Sequence, residues 1–185
     1  MRKPRTEDIR RATLRTVRVR TGSADRRRGW LFAGPLAIPV ALGRSGVKAN
    51  KREGDGATPR GRFRLRRLWW RNDRGSVPRT LLPIRRITPH DAWCEDPADR
   101  RYNRPLRLRE HAAGDRLWRD DHLYDLIVEL DHNARPRIAG RGSAVFLHVA
   151  RPGFGPTAGC IAVRRDVLRR LLGFFRQGTE IAIDT

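Results

Sequence analysis

Two cysteines, one methionine and five histidines are all that the 185 residues hold of soft or metal-binding side chains, and 20 acidic residues stand against 41 basic ones. Each scarcity excludes something. Cys94 and Cys160 are too few for a disulfide scaffold. Cys94, inside Trp93-Cys94-Glu95, reads as a packed loop residue, with a redox contact to Cys160 open if its loop closes over that residue. His90, His111, His122 and His132 are spaced like no common ligand set, so no metal is expected, and no organic cofactor either. No apolar run approaches the roughly 20 residues that cross a bilayer. The nearest candidate is Trp30–Leu42, WLFAGPLAIPVAL, behind Arg26-Arg27-Arg28. It begins late for a signal peptide and is broken by Gly34-Pro35 and Pro39, so it reads as a β-hairpin.

The shortage of acidic residues leaves a net charge of +21, which predicts attraction to a polyanion without saying which. Nucleic acid is the default partner for such a charge. Against it, the basic residues are spread along the chain and no zinc-finger, homeodomain or RNA-recognition signature is present, so no nucleic-acid partner is expected. With 38% hydrophobic residues the chain is long enough for one well-packed core and short for two. Residues 1–12 read as a charged flexible N-terminus and 13–185 as a single domain.

Within that domain Leu14–Arg20 alternates strictly and predicts a half-buried strand, and Arg62–Trp70 predicts another with Phe63, Leu65 and Leu68 inward. Tyr124–Leu130, Ser143–Val149 and Thr179–Asp184 complete the strands. Arg164–Gln177 is the helix: Val167, Leu168, Leu171, Leu172 and Phe175 share a face, Asp166 lies near its start and Gly178 is placed to end it. Residues 70–118 form a long connection with Pro78, Pro83, Pro89, Pro97 and Pro105. Its Trp93, Tyr102 and Leu108 predict an ordered loop, either a lid or the cover of a sheet edge.

Ser143–Arg164, SAVFLHVARPGFGPTAGCIAVR, carries the chemistry. A thiol that attacks a carbonyl needs a base within hydrogen-bond reach and backbone amides aimed at the oxygen that becomes negative. His148 ends a buried strand, and the turn from Pro152 to Gly159 can fold back to place Cys160 beside it. Gly159 lets the backbone turn tightly, so that the amides of Ala158, Gly159 and Cys160 can converge as an oxyanion site. A helix N-terminus facing the thiol would further favour a thiolate. Taken alone, His148 and Cys160 read more readily as a satisfied core histidine and a small buried hydrophobe.

The arrangement of His148, Thr157, Gly159 and Cys160 resembles the signature of the L,D-transpeptidase (YkuD-like) family. A second segment agrees: Lys51-Arg52-Glu53-Gly54-Asp55-Gly56-Ala57-Thr58-Pro59-Arg60-Gly61-Arg62-Phe63 is similar to the Lys-x6-Thr-Pro-x-Gly-x-Phe stretch of these enzymes. The likeness covers about residues 36–175. It departs from the commoner pattern at Val149 for Gly, at Ala158 for a second His, at Ala162 for Arg or Asn, and in the short spacing of His148 from Cys160. The WWRNDRG, DAWCEDPADRRYNRP and RDDHLYDLIVELDHN stretches look like a short, single-domain proteobacterial branch.

The resemblance implies a mainly β, sandwich-like fold with a C-terminal amphipathic helix. It implies a peptidoglycan L,D-transpeptidase acting through a Cys160 thioester, with His148 as base and no cofactor, on stem peptides and glycan of the wall, in the periplasm and as a monomer. Thr157, Arg151, Arg164, Tyr124 and His122 are the expected substrate contacts. The branch implies cross-links that start at the first stem residue. The same site also fits an L,D-carboxypeptidase or a hydrolase that detaches proteins from the wall. A catalytically dead basic module that binds wall or nucleic acid is the alternative of another class.

Overall fold

The computed structural model describes residues 14–108 and 114–185; the N-terminal stretch 1–12 and His111 lie outside the described residues. Among the described residues fourteen strands and one α-helix follow in order: β1 (Thr16–Thr21), β2 (Arg28–Ala33), β3 (Leu36–Ala41), β4 (Val47–Lys48), β5 (Thr58–Pro59), β6 (Gly61–Trp70), β7 (Ile84–Arg86), β8 (Asp91–Trp93), β9 (Pro105–Arg107), β10 (Asp115–Arg116), β11 (Leu126–Leu130), β12 (Phe146–Val149), β13 (Ile161–Val163), α1 (Arg165–Leu172) and β14 (Glu180–Asp184). The protein is mainly β, as the patterning predicts.

Alternation builds the main sheet. Val17 and Val19 of β1 point inward and Arg18 and Arg20 outward, and β2 buries Leu31 and Ala33 while Trp30 and Phe32 face solvent. The WLFAGPLAIPVAL stretch is the β2–β3 hairpin, turned at Gly34 with φ +58°. The sheet runs β11-β12-β13-β3-β2-β1-β14-β6-β7, and β6 also pairs with β11, so the two ends meet. Long β6 does this by division of labour: Gly61–Arg64 pair with β14 and Leu65–Trp70 with β11. Between them the register slips at Arg66, where Glu129 faces Arg67 and Leu130 faces Leu65. That bulge explains why inward Leu65 and Leu68 are three positions apart where a regular strand would space them by two. The closed sheet flattens into two layers over one apolar core that includes Val17, Leu31, Val40, Leu68, Val128, Leu147, Ile161, Leu168, Phe175 and Ile181.

The helix is shorter than its apolar periodicity predicts. Beyond Leu172 the amides of Gly173, Phe174 and Phe175 bond to carbonyls three residues back, so the last turn tightens and the chain leaves the helical path. Phe175 still reaches the core, and Gly178, φ +85°, turns the chain into β14. The helix start also corrects an expectation. β13 separates it from Cys160 by roughly 13 Å of extended chain, so its dipole does not bear on the thiol.

Residues 70–118 are not a bare loop. β7 extends the main sheet beside β6, and β8, β9 and β10 form a separate three-stranded sheet. Ile87, Trp93 and Leu117 from this segment join Trp69, Ile127, Phe146 and Cys160 in a second apolar cluster. Trp93 meets Phe146 edge-on at 5.1 Å and Trp69 at 6.3 Å between ring centroids. Replacing the segment by a short linker would remove part of the core, so its role is open to test only by point substitutions.

The core assignment at the helix end is testable. Phe175 is fully buried, and Phe175→Ala should cost about 3–5 kcal/mol in urea unfolding. A loss below about 1 kcal/mol would place the ring outside the core.

Candidate active site

β12 and β13 lie side by side and parallel, with Leu147 opposite Ile161 and His148 opposite Ala162. Cys160 immediately precedes β13, so the period of two puts it on the same face as Ala162 and therefore as His148. With strands about 4.8 Å apart and a rise of about 3.3 Å per residue, the diagonal offset separates their Cα atoms by about 8 Å. Both side chains line one cleft of about 250 Å³, which also holds Glu95, Asp115, Arg119, Tyr124, Arg151, Thr157, Ala158 and Ala162. A smaller cleft of about 180 Å³ reaches Cys160 from the side of Lys51, Ser143 and Gly159, and Glu95 and Tyr124 border both.

His148 is held by its own strand. Nδ1 lies 2.9 Å from the carbonyl oxygen of Val149, which can only accept, so Nδ1 carries the proton and Nε2 the free lone pair. The ring of Tyr124 packs edge-on against the imidazole at 5.4 Å. The thiol of Cys160 donates to the carbonyl of Ala144 at 3.1 Å, and its sulfur accepts from the amide of Phe146 at 3.4 Å. Ala144 has φ +51°, a left-handed conformation uncommon for a residue with a side chain, and this conformation accompanies its carbonyl's contact with the sulfur. In this state the thiol hydrogen is directed away from the imidazole.

The turn before the cysteine is braced from two sides. The Thr157 hydroxyl donates to the Cys160 carbonyl at 2.7 Å and accepts from the Gly159 amide at 3.1 Å. Thr58, from the Lys51–Phe63 segment, reaches the same carbonyl at 3.4 Å while accepting from the Gly43 amide at 2.9 Å. Gly159 has φ +146°, and a Cβ there would lie 2.8 Å from the Ala57 carbonyl oxygen, so only glycine fits. Lys51 is buried beneath this turn with Nζ bonded to Asp55 at 2.6 Å. The two sequence motifs are thus in contact.

Electrostatics keep the resting pair neutral. Burial, reinforced by the charges of Asp115 and Glu95, pushes the Cys160 thiol up to about 12. Burial pushes His148 down to about 4. Glu95 is raised to about 7, first by burial in the cleft and then by Asp115 and Glu53, and burial raises Asp115 as well. The Tyr124 hydroxyl donates to Asp115 at 3.1 Å.

The cleft gathers Cys160, His148, Thr157, Ala158, Tyr124 and Arg151 from the residues singled out by sequence, and not His122 or Arg164. His122 bonds Asp125 at 3.0 Å and faces Arg74, and Arg164 is paired with Asp166 at 3.1 Å. Thr157 and Gly159 are engaged with the turn itself, so the amides of Ala158 and Cys160 are those without a protein acceptor among the described residues. Sequence reasoning missed Glu95, Asp115 and Arg119, whose proximity to the thiol follows only from the folding of residues 70–118 over it. Cys94 has its backbone tied to Arg104 and Asn103, and it borders neither cleft.

Residues 10–183 match the YkuD family, the L,D-transpeptidase catalytic domain, and the chain belongs to that family. Among solved structures it is similar to Bdellovibrio bacteriovorus Bd1075, with a TM-score of 0.44 and 16% identity over 94% of this chain and 49% of that one. It therefore spans about half the length of that protein. No curated protein matches it.

The raised thiol predicts slow alkylation at neutral pH. Iodoacetamide labelling of Cys160, followed by intact-protein mass spectrometry, should accelerate about tenfold per pH unit from pH 6 to beyond pH 9. A plateau reached by pH 7 would show a preformed thiolate and contradict the electrostatics above.

Proposed function

We propose that the protein is a peptidoglycan L,D-transpeptidase whose acyl-enzyme forms on Cys160. The observation that carries this reading is the pairing of His148 and Cys160 on one face of adjacent parallel strands, with Nδ1 tied to the Val149 carbonyl and Nε2 free, in a chain of this family. In the cycle, donor binding turns the thiol from Ala144 toward His148. The sulfur attacks a stem-peptide carbonyl that follows an L-configured centre, as Nε2 takes the thiol proton. The amides of Ala158 and Cys160 receive the oxyanion, and His148 returns the proton to the departing amine, leaving a thioester. An amine of a second stem then attacks the thioester and sulfur leaves to recover its proton. The neutral resting pair requires that proton transfer and attack occur together. The work is extracytoplasmic, and among the described residues no helix is long and apolar enough to cross a membrane.

Between amine and water as acceptor, Glu95 favours the amine. Above pH about 7 it is a carboxylate within a cleft that touches the thiol, able to draw in an ammonium and accept its proton; below that it is neutral and the attraction is lost. The overhanging segment that carries Glu95 and Asp115 also narrows donor entry, which supports cross-links that start at the first stem residue.

Incubation with sacculi and muropeptide analysis test the reading. The parent should form new cross-links and a covalent adduct with donor peptide or carbapenem, and Cys94→Ala should retain both. His148→Ala should slow acylation by two to four orders of magnitude, on the scale of general-base loss. Retention of the adduct by Cys160→Ala, or near-normal acylation by folded His148→Ala, would reject the mechanism. Glu95→Gln should still form the covalent adduct and shift products from cross-link toward hydrolysis by about tenfold. An unchanged product ratio would remove Glu95 from acceptor selection.

A further inference from the structure

Trp93 also borders a third cleft, of about 270 Å³, into which Arg66, Arg67, Arg104, Arg135 and Arg137 converge with Glu129 as their one acidic neighbour in its lining. Glu129 is already engaged: one carboxylate oxygen pairs with Arg66 at 2.9 Å, and the other receives Trp69 Nε1 at 3.1 Å and lies 3.2 Å from Arg67. No carboxylate or other acceptor among the described residues meets the guanidinium groups of Arg104, Arg135 or Arg137. The Nε of Arg137 is sealed from solvent with no hydrogen-bond partner, and burial together with the charges of Arg104 and Arg66 holds Arg137 below the usual arginine range. A buried donor without an acceptor is costly, and converging like charges add to that cost. Elsewhere this chain relieves arginines locally: Arg27, Arg71, Arg101, Arg119 and Arg164 each pair with an aspartate two positions away.

We propose that this cleft binds a multivalent oxyanion, a ligand presenting at least two carboxylate or phosphate groups to Arg104, Arg135 and Arg137. Guanidinium forks match both groups in geometry, and an anion there would cancel the mutual repulsion of the converging arginines. Two sources share this chemistry, the carboxylates of a wall stem peptide and a free phosphate-type anion. The cleft borders neither space around Cys160, so its occupancy does not depend on the acyl-transfer reading.

Isothermal titration of the full chain with citrate and with tripolyphosphate, at fixed ionic strength and with acetate as the monovalent control, tests it. Saturable one-site binding is expected with the multivalent probes. It should weaken about tenfold or more in Arg104→Gln/Arg137→Gln and persist in Cys160→Ala. Arg18→Gln/Arg20→Gln, which removes the same charge from the solvent face of β1, should bind like the parent. Displacement of citrate by a soluble tetrapeptide muropeptide would assign the wall as source, and displacement by tripolyphosphate alone a phosphate-type ligand. Non-saturable heats, or equal weakening in both double variants, would show general attraction to a basic protein and overturn the site. If the cleft variant fails to fold, charge-preserving Arg137→Lys still decides: undiminished citrate affinity would refute a role for the guanidinium fork.

Discussion

The carbonyl oxygen of Cys160 is held by two threonine hydroxyls, Thr157 from its own turn and Thr58 from a segment about a hundred residues earlier, and the rest of the site depends on that junction. It fixes where the chain enters β13, and hence the side of the sheet on which the sulfur lies. It also presses Gly159 against the Ala57 carbonyl so closely that a side chain is excluded. His148 needs no comparable device, because β12 is buried on both faces and its neighbour's carbonyl selects the tautomer. The imidazole is positioned by a rigid strand and the thiol by a hydrogen-bonded turn. The sulfur is accordingly the partner with freedom to move.

In a chain of net +21, two carboxyls, Glu95 and Asp115, share the thiol's cleft with Arg119 and Arg151. Burial raises the thiol first, and the two carboxyls add to it. A resting thiolate would be more reactive toward any electrophile and more easily oxidised. A neutral thiol directed to the Ala144 carbonyl withholds that reactivity in this state. The cost is a slower first step in the empty site. Within the same cleft the guanidinium groups of Arg119 and Arg151 offset the two carboxyls.

Most of the fold was legible in local pattern: β1 and β6 follow from alternation, the β2–β3 hairpin from its Gly34-Pro35 break, and β11, β12 and β14 as short apolar runs. Even the irregularity of β6 was visible as a broken alternation, though its cause, the bulge opposite Glu129, was not. The helix length was overread because Phe175 keeps apolar phase after the backbone has tightened into a different turn. Cys160, His148 and the Lys51–Phe63 segment stood out through residue type and spacing. Glu95, Asp115 and Arg119 did not, since nothing local distinguishes them from the chain's many solvated charges. Their environment is made by three-stranded pairing of β8, β9 and β10, a non-local event that short strands of two or three residues barely signal.

That small sheet also explains how opposite charges coexist within one domain. Trp93 lies at its end with its ring against Phe146, whose amide contacts the thiol sulfur. The chain continues from it to Glu95 in the Cys160 cleft, and the same ring lines the arginine cleft with Arg104. Residues 70–118 thus contribute to both clefts. The prolines that punctuate this segment reduce the entropy lost when it is ordered.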